Sequence, residues 1–381
     1  MRLTRRSFLT TVASVALAKS CPGAEPSGKR PLVGAIRWDA WYAPGSSVTA
    51  AVEKALSPPQ YQWRAPFFAK VPPSLNAQVE LPHASQSLID LEIQQAAYAR
   101  LDYWAFVGYG IDDPMSLALR YYLSSSIKDL VKFCFFTELA RWGSADNLSS
   151  IPREHIELMK RPQYVRVHDE RPLYFLGFID KNILFQRWKG PDGLRSQLAR
   201  FRAEAISAGV GNPYIVLAGP FAQASEWSSL GGDAVGAYAL GDPLGIGSYS
   251  ALEKVVEQRW RSLSSLGLPL VPTVMAGSDR RPRVEHPVPW ESGQRPYVGM
   301  QYYFEKPTSS EISHHLQRAL DFIAEQPYGL RAPAVLIYAW NENDEGGWLV
   351  PTLPCDTSHL EAVHRILAPG QISPPPSCSI P

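Results

Sequence analysis

The sequence carries little net charge. Its 37 Lys and Arg residues nearly balance 36 Asp and Glu residues, which leaves a formal net charge of +1. A chain with this balance lacks the basic surface that binds nucleic acid, so we expect no nucleic-acid partner. The apolar run at residues 8–18 is too short to cross a bilayer, so we also expect no integral membrane span.

Motifs of several enzyme classes are also missing. No spacing of Cys and His residues is typical of a metal site, and no Gly-x-Ser-x-Gly element indicates a nucleophilic serine. No glycine-rich loop follows the first predicted strand, and residues 245–247 are too short for a dinucleotide fingerprint. We therefore expect neither a metal nor a cofactor.

The N-terminus indicates export. Arg5 and Arg6 precede the apolar run, as in a twin-arginine signal peptide, which we assign to residues 1–25. We expect a periplasmic or secreted protein. Cys21 follows a sequence that loosely resembles a lipobox, although Lys19 fits it poorly, so a lipid anchor at Cys21 is an alternative.

The pattern of apolar runs predicts an α/β fold of the (β/α)8 TIM-like barrel type. Eight apolar runs read as buried strands, and helical patterns lie between them. About eight such units favour a barrel, while an open doubly wound sheet is the alternative. The runs are residues 32–38, 103–107, 131–136, 164–167 with 172–176, 214–218, 234–238, 270–274 and 334–337.

We predict one barrel domain over residues 26–368 with long βα loops. Residues 43–82 and 276–297 are long and partly aromatic, and we interpret them as walls over the barrel mouth. Residues 369–381 are predicted to form a flexible Pro-rich tail. In an oxidising compartment, Cys355 could pair with Cys378 near this tail.

The acidic segment after the eighth run is the candidate catalytic site. Glu342 and Glu345 are three positions apart, so their side chains can share one face of a turn, whereas Asp344 would point elsewhere. Two carboxyls in one pocket cannot both ionise easily, so one pKa should rise. Such a pair suits the acid/base chemistry of glycosidic bond cleavage. A solvated acidic turn is the alternative.

Polar and aromatic residues at other predicted strand ends are candidates for substrate binding, because active sites of such barrels lie at these ends. Asp39 could instead make a structural hydrogen bond, Asp279 an ion pair with its Arg neighbours, and each aromatic residue a packing contact. Residues 168–170 could be only a turn within the fourth strand. The candidates are Trp38, Asp39, Trp41, Tyr109, Glu138, Asp279, Trp340, Asn341, Asp344 and Trp348.

The acidic segment resembles the Asn-Glu-Trp-x-Glu-Gly element that follows the last barrel strand of family 99 glycoside hydrolases and the related WbsX-like proteins. Weaker similarity extends to the aromatic end of the first strand, the second strand and the basic loop after the seventh. The matching residues of the specific element are Trp340, Asn341, Glu342, Glu345 and Gly346.

This resemblance implies a barrel that cleaves α-mannosidic bonds with retention of configuration. It assigns Glu342 as the base on the sugar 2-hydroxyl and Glu345 as the acid that protonates the departing oxygen. Asn343 and Asp344 depart from the element, and Val350-Pro351 replaces an expected Glu-Pro. We therefore expect a carbohydrate substrate but do not carry over mannose.

Two other functions are alternatives to hydrolysis. The departures in the motif are compatible with a non-catalytic glycan-binding protein on a barrel scaffold. A glycosyltransferase-like role in polysaccharide assembly is disfavoured by export, because sugar nucleotides are cytoplasmic.

Overall fold

The computed structural model describes residues 30–41, 45–73, 78–82, 84–220, 223–291, 299–371 and 373–380. Within them, eight parallel strands form a barrel, namely β1 (Leu32–Arg37), β2 (Tyr103–Val107), β3 (Lys132–Glu138), β5 (Arg171–Gly177), β6 (Tyr214–Ala218), β7 (Ala234–Gly236), β8 (Thr273–Met275) and β9 (Ala334–Tyr338). Their order around the sheet is β7-β6-β5-β3-β2-β1-β9-β8, and the short strand β4 (Arg166–Val167) pairs with β5 outside this order. Val235 bridges to Leu270 just before β8 and brings the two ends of the sheet together. The predicted (β/α)8 barrel is thereby confirmed.

Helices lie between the strands. They are α1 (Ser47–Leu56), α2 (Gln86–Tyr98), α3 (Leu117–Ser124), α4 (Ile151–Leu158), α5 (Lys181–Trp188), α6 (Pro191–Ser207), α7 (Ala224–Trp227), α8 (Tyr249–Ser264), α9 (Arg281–Glu285), α10 (Ser309–Glu325) and α11 (Ser358–Leu367). None of the helices in the described ranges is long and apolar enough to cross a membrane.

Local chemistry explains where α2 and α10 begin. The Ser85 side chain accepts a hydrogen bond from the Leu88 backbone N–H at 3.2 Å, which fixes the start of α2. At α10, Thr308 and Glu311 form a reciprocal capping box. These caps use the Ser, Thr and Glu residues that helix N-termini favour.

The barrel interior is filled by aromatic side chains. Tyr103 on β2 projects inward across Gly34 on β1, and a Cβ atom at Gly34 would lie 2.4 Å from the Tyr103 ring. The Tyr103 hydroxyl donates to the Val335 carbonyl at 2.9 Å, which satisfies its only polar group. The strands are buried on both faces, which explains their continuous apolar runs.

The prediction of an extended loop over residues 43–82 was wrong in part. Helix α1 lies within it, capped by Ser46, whose side chain accepts from the Thr49 N–H at 3.0 Å. Val52 and Leu56 lie on the buried face of this helix. Their spacing is a short helical pattern inside a Pro-rich segment. A 3-10 helix follows at Gln62–Arg64.

Residues 168–170 are the turn of a short hairpin. The two-residue strand β4 (Arg166–Val167) pairs antiparallel with the start of β5. His168, Asp169 and Glu170 all have positive φ angles, and the chain reverses direction across them. This turn lies at the N-terminal end of β5, away from the end that carries the candidate site.

The C-terminal tail is linked covalently to the rest of the chain. A disulfide bond joins Cys355 to Cys378, so the Pro-rich tail is tethered beside α11. The predicted signal peptide, including Cys21, lies outside the described residues.

Candidate active site

The acidic segment folds into a small hairpin at the C-terminal end of β9. Strands β10 (Asn341–Glu342) and β11 (Gly347–Trp348) pair antiparallel around a 3-10 helix at Asn343–Glu345. Gly346 has a φ angle of +90°, and a Cβ atom there would lie 2.3 Å from the Asp279 backbone nitrogen. The Asp279 N–H donates to the Glu345 carbonyl at 2.8 Å, so only glycine allows this contact.

Arg283 on α9 is the central contact of the acidic segment. Its side chain is 3% exposed. The guanidinium group donates to both carboxylate oxygens of Asp344, at 2.7 and 3.2 Å, and to Glu345 Oε1. Its NH2 group also lies 3.6 Å from Glu342 Oε2. Asp344 therefore points to the same cation as both glutamates, contrary to the sequence expectation.

The cluster has more acids than bases. Glu291 accepts from Arg283 at 2.7 Å and also pairs with Arg280, which lies 3.3 Å from Glu345 Oε2. Four carboxyl groups, those of Glu291, Glu342, Asp344 and Glu345, thus contact two guanidinium groups. Buried charge is costly unless it is paired, so a proton should reside in the cluster.

The two motif glutamates have opposite pKa directions. Burial, and then the charge of Glu345, raises the pKa of Glu342 well above its ordinary value. Burial also opposes ionisation of Glu345, but Arg280 and Arg283 outweigh it and lower its pKa. These opposite directions favour the proton on Glu342 over Glu345, and because the two groups interact they titrate as one unit.

Two tyrosines from the barrel interior orient these carboxyls. Tyr238 follows β7, and its hydroxyl donates to Glu342 Oε1. Tyr338 lies on β9, and its hydroxyl donates to Glu345 Oε2 at 2.8 Å. The two rings pack edge to face with centroids 5.5 Å apart. Glu345 is 19% exposed and Glu342 is buried, so Glu345 has the greater contact with solvent at the mouth.

Partly exposed residues continue from Arg283 along the mouth. The Trp38 ring lies 5.4 Å from the Arg283 guanidinium carbon, and its Nε1 donates to the Tyr109 hydroxyl at 2.9 Å. Arg141 covers the Tyr109 ring at 3.7 Å and donates to Glu138 at 3.1 Å. Trp38, Tyr109 and Glu138 thus form one wall beside the glutamates, where substrate could reach them.

Other predicted residues are buried in a structural network behind β1. Asp39 accepts from Arg37 Nε at 2.8 Å and from Asn341 Nδ2 at 3.4 Å. Burial raises the pKa of Asp39 to about 7, although Arg37 opposes the shift. Asn341 also accepts from the Trp38 backbone N–H at 2.8 Å. Asp39 and Asn341 therefore hold the ends of β1 and β9 together.

The remaining predicted residues also make packing contacts. Trp340 donates to Glu92 on α2 at 3.0 Å, and Trp41 packs edge-on against Phe68. Both Trp rings are buried and have no face open to a sugar. Trp348 is buried and stacks on His359 with centroids 5.2 Å apart.

The loops over the mouth are held by a second ion cluster. Asp279 accepts from Arg281 Nε at 2.9 Å and pairs with Arg64. Burial opposes the shift, but these arginines lower the pKa of Asp279. Asn343, the residue that departs from the family element, donates to the Arg64 carbonyl at 2.6 Å. The first long loop is thereby fastened to the acidic hairpin.

Sequence reasoning missed three residues that contact the glutamates, namely Tyr238, Tyr338 and Arg283, and also Glu291, which pairs with Arg280 and Arg283. One signal was available. The run 280–283 concentrates three arginines in a chain with few charges, opposite an acidic segment that needs cations. Among the described residues, no group of three or more His, Cys, Asp or Glu side chains could hold a metal ion.

Comparison with known proteins identifies a similar fold. No family model and no curated protein matches the sequence. Two solved structures of the GH99 endo-α-mannosidase from Bacteroides thetaiotaomicron, one in complex with bis-tris propane, are similar, with TM-scores of 0.53 and 0.55. Both are 14% identical to this chain and cover 88% of it and 96% of their own length. The predicted resemblance to family 99 glycoside hydrolases is thus confirmed at the level of the fold.

Proposed function

We propose that this protein is a glycoside hydrolase that uses Glu342 and Glu345 as an acid/base pair. The observation that carries the proposal is their shared contact with Arg283 at the barrel mouth, with pKa directions that differ. One protonated and one ionised carboxyl are what glycosidic cleavage needs. The similar enzyme acts on α-mannosides, so mannans belong in the substrate panel.

The roles follow from where the proton is once a sugar is bound. In the free chain the proton lies on Glu342. A sugar that covers Glu345 removes water from its partly exposed side chain, and desolvation raises the pKa of a carboxyl. The proton then moves to Glu345 and leaves Glu342 as the base.

The resulting steps match the resemblance. Glu342 takes the proton of the 2-hydroxyl, whose oxygen bonds to C1 while the glycosidic bond breaks and Glu345 protonates the departing oxygen. Glu345 then takes a proton from water, which attacks C1 as the bond between C1 and the 2-oxygen breaks, and Glu342 returns its proton to the 2-oxygen. The anomeric configuration is retained.

Aryl glycosides with different leaving groups test this assignment. A good leaving group needs no protonation in the first step, so Glu345→Gln should lose much less activity on dinitrophenyl glycosides than on natural glycans, although the second step still lacks its base. Glu342→Gln should lose activity on both. Glu157→Gln, at an exposed carboxyl on α4, is the control. Undiminished turnover by Glu345→Gln on polysaccharides would remove Glu345 from the mechanism.

A second candidate function is glycan binding without catalysis. Both oxygens of Glu345 are engaged, by Arg283 and Tyr338, and Glu342 is buried, which restrains both carboxyls. Incubation of the parent with polymeric mannans, glucans, xylans and galactans separates the two functions. New reducing ends exclude the binding protein, whereas retention on an immobilised polysaccharide without products favours it.

We further propose that the protein is exported by the twin-arginine route, on the basis of Arg5 and Arg6. Replacement of both by Lys should leave the protein in the cytoplasm of an expressing bacterium. Equal amounts in the periplasm with and without the change would contradict export by this route.

A further inference from the structure

Phe178 is an apolar ring in an unusual place. It directly follows β5 at the barrel mouth, and 42% of its surface is exposed. Its φ angle is +55°, in the left-handed region that bulky side chains rarely adopt. The residues on either side, Gly177 and Ile179, are both buried, so the exposure is confined to this one position.

The backbone around Phe178 does not itself require an aromatic residue. The Ile179 N–H donates to the Ala218 carbonyl at 3.1 Å, and Asp180 caps α5 by accepting from the Ile183 N–H at 3.0 Å. Glycine would adopt the same conformation without strain. An aromatic residue here combines backbone strain with an exposed apolar surface, and such sites are concentrated where proteins bind ligands.

The ring of Phe178 belongs to an aromatic wall that leads to the glutamates. Its centroid lies 5.2 Å from that of Tyr238 and 6.3 Å from that of Phe136. Tyr238 packs edge to face on Phe136 and donates its hydroxyl to Glu342. Phe178 is therefore one ring removed from the acidic pair, with its outer surface toward solvent.

We propose that Phe178 is a specificity-determining residue that stacks on the C–H face of a pyranose unit and holds it beside the acidic pair. This inference rests on the proposed function. It adds that the residue at this position recognises the apolar C–H face of one sugar unit of the substrate. Sugars with a continuous apolar C–H face gain from contact with a flat aromatic ring, whereas their polar edges remain free for hydrogen bonds. Substrates whose unit at this position presents an axial hydroxyl to the ring are rejected.

Substitution by glycine tests the proposal without straining the fold. Phe178→Gly should raise KM at least about tenfold on the panel glycan that the parent cleaves fastest, as loss of a central aromatic contact does. Relief of the positive φ offsets part of the packing that is lost against Tyr238 and Phe136, so the variant should remain folded, as checked by circular dichroism. Phe178→Trp keeps a flat aromatic ring at this position, so its KM should stay within about threefold of the parent value. Phe185→Ala on α5, where the ring is 56% exposed, is the matched control.

The outcomes separate this inference from the proposed function. An unchanged KM in Phe178→Gly, together with loss of activity in Glu342→Gln, would overturn the stacking role and leave the hydrolase intact. An equal rise in KM for Phe178→Trp and Phe178→Gly would also overturn it. A parent that neither cleaves nor binds any panel glycan would remove the proposed function and the inference together.

Discussion

Replacement of Arg283 by methionine should destabilise the candidate site more than any single change at the mouth. The guanidinium group is buried and donates to Asp344, Glu345 and Glu291. Methionine keeps much of the length and leaves these carboxylates without their shared cation. Removal of one partner from a buried ion pair costs roughly 3–5 kcal/mol. We therefore expect Arg283→Met to lower the free energy of unfolding by at least about 3 kcal/mol near neutral pH.

The loss should depend on pH. In the parent, Arg280 and Arg283 lower the pKa of Glu345 although burial opposes them. A carboxyl with a lowered folded pKa contributes stability above its unfolded pKa and loses it as the pH falls through the folded pKa. Without Arg283 the pKa of Glu345 rises, and protonation relieves part of the repulsion. The difference in unfolding free energy between parent and variant should therefore shrink from pH 7.5 to pH 5.

Urea unfolding followed by tryptophan fluorescence measures both effects. Arg200→Met removes an exposed partner of Glu204 on α6 and should change the free energy of unfolding by less than about 1 kcal/mol. The double variant Arg283→Met/Asp344→Asn should lose less unfolding free energy than the two single variants lose together, and the difference should be about 0.5–3 kcal/mol. Equal midpoints for parent and Arg283→Met at both pH values would refute the central role of Arg283.

Three further substitutions test separate contacts. Because burial raises the pKa of Asp39 to about 7, its folded state binds extra protons and the parent loses stability as the pH rises from 5 to 7. Asp39→Asn should reduce this loss of unfolding free energy by roughly 2 kcal/mol, and parallel pH curves would contradict it. Tyr238→Phe removes the hydroxyl that stabilises ionised Glu342, so the acidic limb of the pH–rate profile should move up by about one pH unit. An unmoved limb would exclude this contact from control of the pair. Gly346→Ala places a Cβ atom 2.3 Å from the Asp279 nitrogen, so chemical denaturation should show a loss of at least about 2 kcal/mol. Parent-like stability would show that the backbone adjusts freely.

The barrel was predictable because its strands are covered on both faces. Continuous apolar runs such as residues 214–218 and 334–337 became β6 and β9 almost residue for residue. Helix α1 was not predicted, because a ten-residue helix among prolines has too few turns for a clear period. Its packing comes from tertiary contacts that local sequence does not contain.

The sequence predicted only the part of the candidate site that lies in one continuous segment of the chain. Glu342 and Glu345 are close in sequence, so their proximity follows from local geometry. Arg283 and Tyr238 reach them from other strands and loops, and only the folded barrel brings them there. The sequence could not show that Trp340 is buried and Trp38 partly exposed, because two Trp residues at strand ends look alike until the outer helices cover one of them.

Release of new reducing ends from polysaccharides tests the central claim most directly. The parent and the double variant Glu342→Gln/Glu345→Gln are incubated side by side with the mannans, glucans, xylans and galactans of the panel. Hydrolysis at the acidic pair predicts products from the parent on at least one glycan and none from the double variant. Products at equal rates from both proteins would place the chemistry elsewhere and contradict the account.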